Sequence, residues 1–123
     1  MCLRLDPSEV CNGLGHPPDA WPDIARRTDT YRVMTWDHRG LGGSERPCDE
    51  SRINICDHTD DFFAVMDSYG IERSVVIGWS VGVNVAFEAA LRQPHRIAGV
   101  LAIGGVPGAT FDALLPSLPA FLR

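Results

Sequence analysis

Val75-Val76-Ile77-Gly78-Trp79-Ser80-Val81-Gly82-Val83 is the stretch on which the reading of this chain turns. A dense apolar run leads into a Gly-x-Ser-x-Gly pentapeptide, and an Ala-rich apolar run from Val83 to Leu91 leads out. Strand, abrupt turn and helix is the context in which that pentapeptide carries chemistry. A serine forced onto so sharp a turn occupies a strained, sparsely populated backbone region. The residues two positions away on either side must then lack a Cβ, or strand and helix would collide. Gly78 and Gly82 meet that requirement, which makes Ser80 a candidate nucleophile held clear of the backbone. An isolated match would be an ordinary Gly-rich turn; the flanking strand and helix favour a nucleophile elbow.

Outward from this point the chain reads as strand, helix, strand, helix, strand, helix, strand. Val10-Cys11 is the tail of a first strand, and residues 12–18 form a loop. Asp19 can cap a short helix through about Thr28, with Pro22 tolerated in its first turn. Tyr31 to Trp36 reads as the second strand, followed by a polar, Gly-rich loop from Asp37 to about Arg52. The next helix starts near Asn54; Ile55, Phe62, Val65, Met66 and Tyr69 recur at near-helical spacing, and Gly70 ends it. Ser74 to Ile77 is a strand without alternation, as expected when both faces are covered. The elbow helix stops near Pro94, and Ile97 to Ile103 is a fourth strand. In the tail, residues 104–123, apolar residues recur every four positions between prolines, the pattern of a short helix that needs a surface to pack on. Alternating strands and helices define an α/β class with a parallel sheet, which puts every loop that follows a strand on one edge.

Composition bounds what such a sheet does. The 123 residues make one domain at most, 45% hydrophobic and 22% charged, with a formal net charge of −5. No basic patch points to nucleic acid. No apolar run approaches membrane length and no charged-then-apolar leader occupies Met1 to Val10, so the expected location is cytoplasmic, away from membranes. Cys2, Cys11, Cys48 and Cys56 are irregularly spaced without a Cys-x-x-Cys pair, which argues for reduced, mostly buried thiols and against a metal site. The glycines at 40, 42 and 43 do not form Gly-x-Gly-x-x-Gly, because Glu45 takes the third position, and no Walker-type lysine is present. No cofactor is expected.

With the elbow placed, three motifs at consistent spacing resemble the α/β-hydrolase superfamily, in particular its compact serine-nucleophile esterases, lipases and cofactor-free haloperoxidases. The elbow is Gly78 to Gly82. Asp37-His38-Arg39-Gly40-Leu41-Gly42-Gly43-Ser44 resembles the family's Asp-x-Arg-Gly-x-Gly-x-Ser loop, and Asn12-Gly13-Leu14-Gly15 stands where the family usually has a His-Gly segment. Tyr69 to Gly78 and Pro94-His95-Arg96-Ile97 are similar as well. The resemblance covers about residues 10–110. It implies a partial α/β-hydrolase fold: four parallel strands, the family's third to sixth, in spatial order 4-3-5-6 with flanking helices. Residues 1–123 are then a single incomplete core segment, 1–9 the remnant of N-terminal strands and 104–123 the start of a lid region. The chain leaves the family's third strand in one direction and its fifth in the other, which creates the switch point where open α/β sheets bind ligands. Leu14 and Ser80 follow those two strands.

The implied chemistry is acyl transfer from a small-molecule acyl substrate. Ser80 attacks a carbonyl, and the backbone N–H groups of Val81 and Leu14 receive the oxyanion. Asp37 and Arg39 are read as structural, an ion pair and side-chain-to-backbone bonds holding their loop. A serine hydroxyl also needs a histidine base and a carboxylate to orient it, in this fold in the order Ser, acid, His. Family members carry both after their seventh and eighth strands. Downstream of Ser80 the only aspartate is Asp112 and the only histidine His95, in reversed order. His95 falls in the polar turn entering a strand, at the opposite sheet edge; His16 is the one histidine placed for a substitute base, and His38 and His58 are structural or exposed. The expectation is therefore the nucleophile-bearing segment of a serine hydrolase acting on small esters or related acyl compounds through an acyl-enzyme, inactive alone. The rival from another class is a non-catalytic small-ligand-binding module on the same fold. Open sheet edges around Val33 and Val100 also allow self-association. Trp79 either shapes the pocket or packs beneath it.

Overall fold

The structure is a computed structural model that describes residues 8–11, 32–106 and 108. Four strands form one parallel sheet: β1 (Ser8–Cys11), β2 (Val33–Thr35), β3 (Ser74–Trp79) and β4 (Ile97–Ile103). Their order is β2-β1-β3-β4, the order implied by the resemblance. β1 is central and pairs on both sides: Val10 with Thr35 of β2 and with Ile77 of β3. The chain thus departs from β1 toward one edge and later returns to its other side, so the switch point lies between the C-terminal ends of β1 and β3. Two helices are present among the described residues, α1 (Ile55–Ser68) and α2 (Gly82–Arg92). The helix read from Asp19 to Thr28, the loop at 12–18 and the tail from 109 lie outside the described residues.

Burial of one apolar stripe per helix against one sheet face organises the core. Phe62, Phe63 and Met66 of α1 and Val85, Ala86 and Ala89 of α2 pack with Met34, Val76 and Ile97 of the sheet. Phe62, Met66, Val76 and Val85 are fully buried. Removing any of these side chains to Ala would cost on the order of 2–4 kcal/mol. β3 runs two residues beyond its expected end, and its burial alternates: Ser74, Val76 and Gly78 are buried, while Val75, Ile77 and Trp79 are half-buried. The unalternating sequence had implied equal cover on both faces. Hydrophobicity on both sides leaves the difference in cover invisible in the sequence.

The helix ends obey local rules. Asn54 caps α1, its Oδ1 accepting from the Asp57 amide at 2.9 Å. Gly70, at φ 64°, turns the chain after Tyr69. Tyr69 itself is 59% exposed, one residue past the helix, rather than the core member its spacing suggested. Its carbonyl accepts from Arg32, whose guanidinium lies over the ring. Phe63 takes the core position instead. No helix of the described residues is long and apolar enough to cross a membrane.

Candidate active site

Ser80 stands at the bend between β3 and α2, with φ of 52°. It is the one non-glycine residue with positive φ among the described residues. Such a backbone stores roughly 1–3 kcal/mol and persists only where its surroundings impose it. Those surroundings are visible. An ideal Cβ on Gly78 would lie 2.5 Å from Gly82 O and 2.8 Å from Val83 Cα, so the helix passes against the strand at a distance only glycine permits. On the other side, a Cβ on Gly105 would run into Ser80 O and come within 2.6 Å of Val83 Cγ2. The elbow is therefore gripped between its own helix and the segment that leaves β4.

The amides around the serine divide into committed and outward groups. Ser80 N–H donates to Ile103 O at 3.0 Å, which ties the elbow to the end of β4. Val83 and Asn84 donate back to the carbonyls of Ser80 and Val81 at 3.1 and 3.0 Å, opening the helical ladder. Val81, helical in its dihedrals, is the cap residue of α2. Its N–H belongs to the first-turn amides that have no acceptor within a helix and that carry the positive end of the helix dipole. An oxyanion forming beside Ser80 would meet that end. The second expected donor, Leu14, lies outside the described residues. Its strand is placed, however: Cys11, the last residue of β1, pairs with Gly78. The chain after Cys11 and the chain after Gly78 thus leave adjacent strands at one level of the same sheet edge.

Asn84 was not singled out by sequence reasoning. Its Oδ1 accepts from Gly108 N–H at 3.0 Å, which fastens the post-β4 segment over the first turn of α2. An asparagine inside an apolar helix is the signal that could have identified it. Trp79 sits on the sheet face away from the helices, and its Nε1 would be 3.2 Å from a Cβ on Gly104, so the indole lies against the end of β4.

The loop after β2 is structural, as expected, though wired differently. Asp37 Oδ2 accepts from Gly43 N–H at 2.8 Å, and Ser44 Oγ donates to Asp37 O at 2.6 Å. Arg39 turns to α1: Nε and Nη2 each contact the Asp61 carboxylate at 2.7 Å, a bidentate fork, with Asp57 Oδ1 3.2 Å from Nη1. Asp57 also accepts from Arg52 Nε at 2.8 Å and Asn54 Nδ2 at 2.6 Å. These bonds, Arg52 foremost, hold its carboxyl below the usual carboxylate range against the opposing effect of burial. Both acidic partners come from a helix face that its sequence marks only as polar.

The histidines are distributed as their positions in the chain dictate. His95 lies exposed in the turn Pro94–Arg96 at the N-terminal end of β4, the edge opposite Ser80 in a parallel sheet. His38 and His58 are both buried, stacked on one another. His16 and Asp112 lie outside the described residues. Cys48 and Cys56 are free and exposed, contrary to the expectation of mostly buried thiols. Cys48 follows a proline in a polar loop, and Cys56 falls on the solvent side of α1. An open groove of about 710 Å³ runs between the post-β2 loop and α1, past Trp36, Pro47, Cys48, Ala64 and Val65. It does not reach Ser80, and the charges lining it largely pair with each other. Position and chemistry at the elbow outweigh the size of this trough as the mark of a candidate site.

Comparison with known proteins agrees with this geometry. A family model described as the alpha/beta hydrolase fold matches residues 10–123. A Caulobacter segnis protein provisionally named carbamate hydrolase RutD is 32% identical over 97 residues, 78% of this chain and 36% of that protein. Epoxide hydrolase B of Mycobacterium tuberculosis is 35% identical over 96 residues, covering 71% of this chain and 27% of its own length. Among solved structures, an alpha/beta hydrolase from Novosphingobium aromaticivorans superposes with a TM-score of 0.72 at 29% identity, over 82% of this chain and 36% of that one. The chain spans about a third of the length of these relatives.

Proposed function

We infer a serine-hydrolase chemistry from one premise: this chain belongs to the alpha/beta hydrolase fold family. It is the nucleophile-bearing segment of an enzyme that hydrolyses small esters or related acyl compounds. Ser80 Oγ attacks the acyl carbonyl carbon, and the oxyanion forms against the Val81 N–H at the start of α2. The alcohol or amine leaves with a proton, and water then cleaves the Ser80 acyl-enzyme. The observation that carries this reading is the positive φ of Ser80 between β3 and α2, with Gly78 crowded by the helix backbone.

The side chain at the elbow narrows the reaction class. Relatives include proteins named for carbamate and for epoxide hydrolysis. A serine that opened an epoxide would form a stable alkyl ether, which water does not cleave under mild conditions. A serine that attacks a carbamate or ester carbonyl forms an acyl ester, which water does cleave. Ser80 therefore favours acyl substrates. Turnover also needs a base and an orienting acid, and His95 at the far sheet edge supplies neither. Those groups belong to polypeptide beyond these 123 residues.

A fluorophosphonate probe tests the proposal. This chain alone is expected to react slowly, and a version extended C-terminally through a following acid and histidine to react quickly and stoichiometrically at Ser80. Equal, slow labelling in both forms, or labelling that survives Ser80→Ala, would remove it.

A further inference from the structure

Two imidazoles meet inside the hinge between the post-β2 loop and α1. His38 is 3% exposed and His58 is 6% exposed, and their ring centroids are 4.7 Å apart at a tilt of 56°. Trp36 packs edge-on against His38 at 5.9 Å and against Phe62 of α1 at 5.8 Å, so the rings form one continuous aromatic seam. Among the described residues His58 Nδ1 has no hydrogen-bond partner. From this geometry we propose that the His38–His58 pair is an acid-sensitive latch, whose protonation releases the loop of residues 37–53 from α1.

The groups facing the pair set its sign. From the loop come His38 itself and the Arg39 guanidinium, both unfavourable to a proton on His58; from α1 come Asp57 and Asp61, which favour it. Those two carboxylates are already engaged, Asp61 by the bidentate Arg39 and Asp57 by Arg52, Asn54 and Arg39. From α2, Glu88 and Arg92 pair with each other and with Asp60 at the exposed side of α1. Burial, the largest influence, then the neighbouring His38, push the His58 ring below the usual histidine range. Protons thus bind the released form more readily than the closed one. The latch is fully engaged above the ordinary histidine value of about 6.5 and weakens as pH falls below it. Two cations at such a separation within an apolar seam repel strongly, so the closed form excludes a second proton even more than the first. Because the loop hangs from the same sheet edge as Ser80, its release changes one border of the crevice. The latch itself stands independently of any chemistry at the serine.

Hydrogen–deuterium exchange of this chain at pH 7.5 and 5.5, corrected for intrinsic rates, tests the proposal. One-proton linkage predicts about a tenfold faster opening of residues 37–53 at the lower pH, with β3 and α2 little changed. In the double variant His38→Asn, His58→Phe the acid response is expected to fall to threefold or less. Unchanged protection of residues 37–53 overturns the latch. So does an acid response that persists in the variant, or one that spreads equally into residues 74–92, which marks general melting. Should the variant not fold, the Hε1 resonances of the unmodified chain decide: at least one ring titrating well below 6.5 supports the latch, and both at or above it overturn it.

Discussion

Ser80 carries two requirements that oppose each other, an exposed hydroxyl and an unfavourable backbone. Replacing it with Ala keeps the strain and removes the nucleophile. Ser80→Ala should therefore abolish fluorophosphonate labelling while leaving chemical denaturation within about 0.5 kcal/mol of the parent. Ser80→Gly also lacks the hydroxyl but relieves the positive φ, and should unfold up to about 1 kcal/mol harder, the strain relieved exceeding the entropy of an added glycine. The neighbours behave oppositely. Gly78→Ala places a methyl 2.5 Å from Gly82 O, a backbone atom that cannot swing aside. A loss of about 1–3 kcal/mol is expected by denaturant titration, of the size seen when packed sites are overfilled. The need for glycine at 78 could be read from the pentapeptide. The equal need at 105 could not, because it arises where the end of β4 meets the elbow, 25 residues on in sequence.

At the scale of elements, the post-β2 loop is held to α1 by charge rather than by apolar contact. Asp61 is the hub, gripped at both oxygens by Arg39. Asp61→Asn should cost roughly 1–2 kcal/mol, discounted because Asp61 is partly exposed, and should raise exchange in residues 37–53 more than elsewhere. The helix start contributes separately: Asn54→Ala removes the Asp57 amide's acceptor and one partner of its carboxylate, and about 1 kcal/mol or more is expected from thermal or urea unfolding. Acid acts on the same cluster. The Asp57 carboxyl is held low, so its contribution to stability is present above the ordinary carboxylate range and is lost as pH falls through the lowered value. In Arg52→Ala, urea midpoints should show a weaker loss over that acid range. The sequence marked this loop as a structural motif and placed the Asn54 boundary correctly. It did not identify the partners of Arg39, because a polar helix face looks alike whether it meets solvent or a guanidinium.

At the scale of the molecule, β2 and β4 border the described sheet, and the relatives are about three times as long as the matched span. Addition of the polypeptide that supplies the missing base should therefore raise both thermal stability and Ser80 reactivity together, which calorimetry and probe labelling would record in parallel. The alternation of apolar runs with helical periodicity determined the parallel sheet and its order. The spacing Gly-x-Ser-x-Gly between a strand and a helix determined where the serine must stand. Both are local properties, written in propensity and in the volume a Cβ occupies. Only the tertiary structure decided which face of β3 is better covered, that His38 and His58 touch, that Arg39 reaches α1, and that Gly105 and Asn84 close around the elbow. Each of these depends on two segments far apart in the chain arriving at one place, and a contact of that kind leaves no period in the sequence of either.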